Sequence, residues 1–470
     1  MVVFGGWCGW GGGVVEAPGA MELLQKEVPT LGGSVVWVRL TDEDVITFNK
    51  EDKKKPAYGE SIEEVFGRRK EKYREASSFE FVAPPFSSFK NNRNNFWAAV
   101  HRAFGNFSRA IALPPPPILR GSQFLSLTMK DLTQEKKIST MASDVDALEI
   151  RVDLLEESLQ TGRELGLQVF HVRNQTSVPL LITYRSGKEG GKGVEEESRM
   201  LEVLRDAMRF GVEFIDVESR LSEDAKRSIA AMKPGNTKVV LSKHFLPPSE
   251  VPQADGVAGA LLDLAAETAI TPDVLKVVFS TDEDGAAGVT RIQAGVASVC
   301  EQNSLTGPTL RGKQIICMAM GRRGVLSRVL NEAFTPVTHR LLPTAAAPGQ
   351  LEGSVVRDLR SDLSLPVKQF FCLWEARRQV GISPPVQLPF PPEEFPRDLL
   401  QVRDSRPSGH SAVDAHICLL GRFCDDSVEG KSGGTSRFSH PTGEEGRGRE
   451  HHLEDRGRQI SRHQHGPDCN

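Results

Sequence analysis

The sequence lacks several features that would assign a chain to a specialised class of protein. Its seven cysteines are spread over 470 residues without a CxxC pair, which excludes a disulfide scaffold and a zinc ribbon and fits a reducing compartment. No apolar run reaches the ~18 residues that a membrane helix needs. The 58 basic and 62 acidic residues give a net charge of −4, so the composition shows no basic footprint for nucleic acid.

What is present is unevenly distributed. The length suggests about three domains, and the texture of the chain changes twice. Residues 1–120 mix helical patterning with a proline-rich break, and residues 121–352 alternate apolar runs with amphipathic stretches. Residues 353–470 lose that order. From Lys431 to the C-terminus only four residues are apolar, too few to offset the entropy of ordering, so we predict a largely disordered tail.

The middle region indicates the fold class. Eight short β-rich runs follow one another, with helical spacing between most of them, as in Glu195–Arg209. Apolar runs that alternate with helices indicate parallel strands. Eight such units in about 230 residues predict an α/β protein with a (β/α)8 TIM barrel, and an open doubly wound sheet is the alternative. The predicted strands are Phe124–Lys130, Ala147–Leu155, Pro179–Arg185, Phe214–Ser219, Lys238–His244, Val274–Ser280, Gln314–Met320 and His339–Ala345.

Ionisable residues collect at the predicted carboxyl ends of these strands, where a barrel places its active residues. A single charged residue there usually points to solvent or pairs structurally. Lys276 is more informative, because inside VLKVV it must face the barrel interior or the helices, and both disfavour an ammonium. Desolvation lowers the pKa of a lysine and frees its amine to attack a carbonyl. With His244 on the neighbouring strand for proton transfer, the residues suggest Schiff-base chemistry on an anionic substrate.

Two other patterns give weaker hypotheses. The glycine-rich loop Gly187–Gly193 could cradle a phosphate, but it does not match GxxxxGK[ST]. Seven of the eleven histidines lie after residue 400. A metal site is conceivable there, although solvated histidines in a disordered tail are favoured.

Six motifs of the middle region, in register over residues 124–351, resemble the type I 3-dehydroquinate dehydratases of the shikimate pathway. The motifs are ALEIRVDLL, LLITYRSGKEGG, VVLSKHF, VLKVV, MAMGRRGVLSR and AAPGQ. The resemblance implies a (β/α)8 barrel, usually dimeric, that converts 3-dehydroquinate into 3-dehydroshikimate with no metal and no cofactor. We therefore expect a small-molecule substrate, no nucleic-acid or membrane partner, and a homodimer, with the cytoplasm as the default location.

The resemblance also implies a role for each matching residue. Lys276 would form an imine with the C3 ketone of the substrate. His244 would remove a C2 proton and then help to expel the C1 hydroxyl, and Glu189 would orient this histidine. Arg328 would bind the substrate carboxylate. Further substrate contacts are implied for Glu149, Arg151, Arg185, Met318, Met320 and Gln350.

Two departures from the family pattern leave these roles in place. Many relatives have a serine where this chain has Ala346, so one substrate hydrogen bond is in question, and Phe245 follows His244 directly where HDF is common. The alternatives are another class I Schiff-base barrel, such as an aldolase, and an inactive barrel that binds other pathway enzymes. Neither explains the complete set of matching residues as well as the dehydratase hypothesis.

The flanks resemble parts of the pentafunctional arom polypeptide, in which the dehydratase lies between a kinase and a dehydrogenase. Residues 1–110 resemble the C-terminal part of shikimate kinase without its P-loop, so we expect no kinase activity. Residues 121–352 form the dehydratase unit. Residues 365–470 begin like shikimate dehydrogenase and lose the pattern near Cys372, where we expect a frameshift or a gene-model error.

Overall fold

Two sheets of parallel strands organise the part of the chain that the structure describes. The structure is a computed structural model, and it describes residues 2–5, 26, 30, 34–51, 60–90, 92–246, 253–280, 285–306 and 313–363. The smaller sheet lies in the N-terminal part of the chain and the larger sheet in its middle. The predicted disordered tail and the dehydrogenase-like start lie outside the described residues. So does Gly11–Leu24, whose triple glycine resembles the shikimate-binding segment of the kinase.

The N-terminal segment combines a three-stranded parallel sheet with helices. Its described elements are β1 Val2–Gly5, β2 Val35–Arg39, α1 Asp42–Glu51, α2 Ile62–Ala76, β3 Phe79–Val82 and α3 Arg93–Ala112. The strands lie in the order β1-β2-β3. A capping box of Ser61 and Glu64 starts α2, and the Asn92 side chain accepts a hydrogen bond from the backbone of Asn95 at the start of α3. The kinase-like character of this segment stays a prediction.

The middle of the chain is an eight-stranded parallel sheet with helices between its strands, and this confirms the predicted (β/α)8 barrel. The strands are β4 Gln123–Leu127, β5 Ala147–Arg151, β6 Leu180–Thr183, β7 Phe214–Glu218, β8 Lys238–Phe245, β9 Val274–Ser280, β10 Gln314–Met320 and β11 Thr335–Val337. The helices are α4 Ile138–Ala142, α5 Gly162–Gln175, α6 Glu197–Arg209, α7 Glu223–Met232, α8 Ala254–Ala265, α9 Gly285–Thr306, α10 Val325–Leu330 and α11 Gly353–Asp362. None of the helices in the described residues is both long and apolar enough to cross a bilayer.

The eighth strand does not lie where the sequence predicted it. The prediction of His339–Ala345 is wrong, since the strand is β11 and pairs with β4. A three-residue strand that includes a proline is too short to produce a periodic signal. β10 and β11 end the hydrogen-bonded order, and Asn331 bridges this seam: it accepts from the backbone of Cys317 at 3.1 Å and donates to Thr335 at 2.9 Å.

Alternate residues of the strands fill the barrel interior in layers. The layer at the amino ends is apolar, and the ring of Phe334 packs against Phe124 at 4.8 Å and Phe214 at 5.0 Å. Two residues further along the strands, the buried positions of the same face become largely polar, namely Ser126, Glu149, Thr183, Asp216, Ser242 and Lys276. An apolar core thus closes one end of the barrel, and buried polar groups occupy the other.

The N-terminal segment packs against helices of the barrel through aromatic rings. The ring of Phe81 in β3 lies 4.7 Å from that of Phe170 in α5, and Phe107 in α3 lies 5.4 Å from the same ring. Gly166 of α5 permits the close approach, because a Cβ atom there would lie 2.5 Å from the Val82 side chain. We call this contact the junction. Beside these rings, Arg209 of α6 pairs with Glu80 of β3 at 3.7 Å and donates to the Ser77 carbonyl at 3.0 Å. The apolar ring contacts and this polar contact both hold the segment against the barrel.

Candidate active site

Charged side chains meet at the carboxyl ends of β7, β8 and β9, which are neighbours in the sheet. The register pairs Ser242 of β8 with Lys276 of β9. His244 follows Ser242 on the same face of β8, since side chains alternate along a strand. Asp216 of β7 also contacts Lys276. The strands therefore bring together Lys276 and His244, the two residues that sequence analysis singled out.

Lys276 lies in contact with a carboxylate that sequence analysis did not consider. Its Nζ atom donates to Oδ2 of Asp216 at 2.9 Å, and both side chains are buried. Ser242 donates to the other carboxylate oxygen at 2.6 Å. Burial alone would raise the pKa of Asp216, but the neighbouring Arg185 and Lys276 cations lower it to about 2. Asp216 is therefore an anion at every pH at which the protein would work.

His244 is paired with Glu189. Its Nδ1 atom lies 2.9 Å from Oε2 of Glu189, so the other ring nitrogen, Nε2, is left for a substrate. Burial, together with the Arg185, Lys276 and Arg151 cations, lowers the pKa of His244 well below its usual value. Burial raises the pKa of Glu189 to about 7, although Arg185 opposes this shift. The imidazole is thus held neutral, which is the state a general base requires.

Arg185 joins these groups into one network. Its guanidinium lies 2.8 Å from Glu189, 2.7 Å from Asp216 and 3.2 Å from Glu218, and it donates to Ser242 at 2.9 Å. All of these side chains are buried. Arg185 therefore pairs both with Asp216, which contacts Lys276, and with Glu189, which contacts His244. A change at Arg185 would therefore disturb both catalytic candidates.

The glycine-rich loop Gly187–Gly193 carries Glu189 and does not act as a phosphate cradle. The backbone N–H groups of Gly187, Gly190, Gly191 and Gly193 already donate to carbonyl groups of the loop or of Arg185 and Ser186. They are therefore not directed at a phosphate. A Cβ atom on Gly191 would lie 2.0 Å from the Arg185 carbonyl oxygen. The glycines therefore let the loop fold back onto the end of β6, and this close approach sets the position of Glu189.

Glu149 and Arg151 lie side by side at the end of β5. Glu149 accepts hydrogen bonds from the Ser126 and Thr183 hydroxyl groups. Arg151 forms a bidentate pair with Asp153 through contacts of 2.9 and 2.8 Å. The pair holds the guanidinium in one orientation, as a residue that recognises a polar substrate requires.

Arg328 differs from the other arginines of the site because no carboxylate of the described residues pairs with it. Its guanidinium donates to the Met318 sulfur at 3.3 Å and to the Pro348 carbonyl at 3.2 Å. Burial lowers the pKa of Arg328 to about 10. A buried cation without a counterion is a strong site for an anion. Gln350 accepts from the backbone of Ala346 at 2.9 Å and so shapes the loop beside Arg328.

The structure thus gathers the predicted residues to different degrees. Lys276, His244, Glu189 and Arg185 form one connected network, and Arg328 contacts Met318. Met320 packs against the buried apolar cluster that includes Met318 and Phe214. The roles of all these residues stay predictions.

Sequence analysis missed Asp216 and Glu218. Both lie in the run FIDVES, which was used only as a strand. Two acidic residues separated by one position inside an apolar strand must share the buried face. That spacing was the signal for a pair of functional carboxylates. Within the described ranges, no group of three or more His, Cys, Asp or Glu residues has the arrangement of a metal site.

The comparisons with known proteins agree on one family. Residues 123–365 match the sequence profile described as Type I 3-dehydroquinase. The pentafunctional AROM polypeptide of Saccharomyces cerevisiae (strain JAY291) is 33% identical over 350 residues, which is 73% of this chain and 20% of the relative. That of Komagataella phaffii (strain GS115 / ATCC 20864) is 32% identical over 350 residues, 73% of this chain and 21% of the relative. The chain therefore spans about a fifth of the length of these relatives.

One solved structure that the comparison matches is the dehydroquinate dehydratase and shikimate dehydrogenase from S. pombe AroM. It is 29% identical to this chain in the matched part. The match covers 52% of this chain and 44% of that chain, with a TM-score of 0.45.

Proposed function

Because the chain belongs to the type I 3-dehydroquinase family, whose members dehydrate 3-dehydroquinate to 3-dehydroshikimate in the shikimate pathway, we propose that Lys276, His244 and Glu189 perform this hydro-lyase reaction here. The observation that carries the proposal is the network around Arg185. This arginine pairs with Asp216, the partner of Lys276, and with Glu189, the partner of His244. A buried amine and a neutral imidazole on adjacent strands are the two groups that a Schiff-base dehydration needs.

The proposed reaction begins when the Lys276 ammonium passes a proton to His244 and the resulting amine adds to the C3 carbonyl of the substrate. His244 returns the proton to the carbinolamine hydroxyl, which leaves as water and gives an iminium ion. His244 then takes a proton from C2 through Nε2, and the electron pair moves towards the iminium nitrogen. The C1 hydroxyl leaves as water with a proton returned by His244, and hydrolysis of the imine releases the product. The net change is the loss of one water molecule from the substrate.

Substrate binding follows from the charges of the site. Arg328 lacks a carboxylate partner among the described residues, so it takes the substrate carboxylate. Glu149 and Arg151 face the hydroxyl groups of the ring, since one accepts hydrogen bonds and the other donates them. Glu189 holds the His244 ring with Nε2 towards C2. An aldolase would need the amine but would have no use for this arrangement around a departing hydroxyl.

Borohydride trapping tests the proposal. The chain is incubated with 3-dehydroquinate and sodium borohydride, and its peptides are analysed by mass spectrometry. We expect a reduced adduct on the Lys276 peptide and, without borohydride, the absorbance of the conjugated product. Lys243 is the matched control, because it lies one residue before His244 and its Nζ atom lies over the Phe245 ring at 5.0 Å. Lys243→Ala should keep the adduct on Lys276.

The proposal fails if no adduct forms and no conjugated product appears. It also fails if the adduct forms on a different lysine. An adduct on Lys276 without the conjugated product would favour an aldolase or an inactive barrel.

The remaining expectations concern the whole chain. The homodimer is what the resemblance to the type I dehydratases implies, and the cytoplasm is the default location. Similarity to the arom polypeptides over 350 residues supports an arom-like origin of the flanks. Light scattering of the purified chain tests the dimer, and fluorescence microscopy of a tagged chain tests the location. Sequencing the transcript across the codon for Cys372 tests the frameshift, which an in-frame message identical to this sequence would reject.

A further inference from the structure

Asp216 touches the nitrogen atom that becomes reactive in the proposed mechanism, yet the family resemblance gave it no role. Its Oδ2 atom lies 2.9 Å from Nζ of Lys276, and the side chain is 1% exposed. We propose that Asp216 is the counterion of Lys276 throughout the reaction, first of the ammonium and then of the iminium ion. The inference rests on the proposed function and adds a catalytic residue to it.

The position of Asp216 separates it from the other acidic groups nearby. It is the one carboxylate in the described part of the site that lies within ion-pair distance of Lys276. Glu189 contacts His244 and Arg185, and Glu218 contacts Arg185 and Arg220. The charged or titratable groups that face Asp216, Lys276 and their partners are Glu149, Arg151, Arg185, Glu189, Glu218, Arg220 and His244.

The chemistry of the iminium ion explains why such a counterion matters. Once water has left, the nitrogen carries one hydrogen and a positive charge, and its N–H group can donate to Oδ2 of Asp216. The charge makes the nitrogen an electron sink and acidifies the proton at C2. A neutral imine would withdraw electrons far less. Asp216 takes no proton in the cycle, because two cations hold its pKa near 2, so His244 remains the base.

A purely structural role predicts something different. Asp216 also pairs with Arg185 at 2.7 Å, and its loss would leave that guanidinium less compensated whatever the chemistry at Lys276. Glu218 offers the matched control, since it lies on the same strand, is buried and pairs with Arg185 at 3.2 Å. Glu218→Gln removes the same charge from Arg185 without touching Lys276.

The test compares wild type, Asp216→Asn and Glu218→Gln in the full chain. Cyanoborohydride reduces protonated imines in preference to neutral ones, so the adduct on Lys276 is quantified from pH 5 to 10 with saturating 3-dehydroquinate. In Asp216→Asn we expect the midpoint of trapping to move to lower pH by at least about one unit, because the iminium has lost its anion. We expect kcat to fall at least ~10-fold while trapping at pH 6 persists. Glu218→Gln should keep the wild-type midpoint.

The outcomes are distinguishable. No adduct in wild type would reject the proposed function itself. An adduct in wild type with the same pH midpoint in Asp216→Asn, or the same shift in both variants, would reject the counterion alone. If Asp216→Asn does not fold, as checked by circular dichroism, Ser242→Ala decides: it removes the hydrogen bond to Asp216 and should give a smaller shift in the same direction. An unchanged midpoint in Ser242→Ala would overturn the inference.

Discussion

The carboxyl end of the barrel and the junction with the N-terminal segment are both buried, but they are buried in opposite ways. At the barrel end the buried groups are ions, with three carboxylates around Arg185. At the junction they are rings, with Phe81 and Phe107 packed on Phe170. Burying rings stabilises a fold, whereas burying ions carries a desolvation cost that the ion pairs only partly offset.

The difference predicts that stability and chemistry depend on separate parts of this molecule. Buried ionic groups that lower the stability of a fold indicate a functional site. The ring contacts of the junction contain no ions, so they carry no such desolvation cost. Substitutions at the two places should therefore affect different measurements, and four predictions test this separation.

The largest effect is expected for Lys276→Ala. Turnover should fall at least about 10⁴-fold, since removing a nucleophile abolishes the covalent route. The measurement is the initial rate of conjugated product formation at saturating substrate, with Lys243→Ala as the control. Near-normal activity in Lys276→Ala would contradict the separation, because the chemistry would then lie elsewhere.

The next effect, in the opposite region, is expected for Phe81→Ala. Phe81 is fully buried and packs on three rings, those of Phe104, Phe107 and Phe170. The free energy of unfolding should fall by about 3–5 kcal/mol, while kcat of the folded protein stays near wild type. Urea unfolding and kinetics below the transition provide both values. A variant that kept its stability but lost kcat would show that the junction reaches the site.

Arg328→Met should raise the melting temperature and lower kcat/KM. The substitution removes a buried cation whose pKa burial lowers to about 10, so the melting temperature should rise. The substrate carboxylate then lacks its partner, and kcat/KM should fall about 100-fold, or roughly 2.7 kcal/mol. Calorimetry and steady-state kinetics measure the pair of changes. A loss of both stability and activity would indicate that Arg328 is structural.

The smallest effect concerns the pH dependence of stability. Burial raises the pKa of Glu189 to about 7, so between pH ~4.5 and 7 the folded protein binds a proton that the unfolded chain has lost. The stabilising contribution of this proton therefore falls as pH rises through that window. Glu189→Gln cannot titrate, so the stability of wild type relative to this variant should decrease by on the order of 1 kcal/mol from pH 5 to 7.5. A gap that grows with pH in urea unfolding would reverse the assigned sign.

The sequence predicted seven of the eight barrel strands close to their observed positions, because each carries a run of apolar residues. It failed at β11, where Thr335–Val337 is too short to show a period. It found Lys276 because a lysine conflicts with its apolar neighbours. It missed Asp216 because the run FIDVES was interpreted only as a strand, and the spacing of its two acidic residues was not used.

The junction could not be predicted for a different reason. Phe81 and Phe170 are far apart in the chain, and no local pattern relates one to the other. Gly166 gave no local signal, since a glycine inside a helix only lowers its propensity. Contacts between distant elements depend on shape, which periodicity does not encode.

The seam between β10 and β11 lies beside Arg328, where we propose that the substrate carboxylate binds. At this seam, side-chain hydrogen bonds of Asn331 stand in place of part of the backbone hydrogen bonding between strands. We therefore expect local opening to be more frequent here than between the other strand pairs. Arg328 lies beside the seam and contacts both Met318 of β10 and Pro348 after β11. An anion bound to Arg328 would therefore interact with a residue that contacts both sides of the seam. Substrate binding and local opening of the barrel would then be coupled, so that bound substrate stabilises the closed barrel.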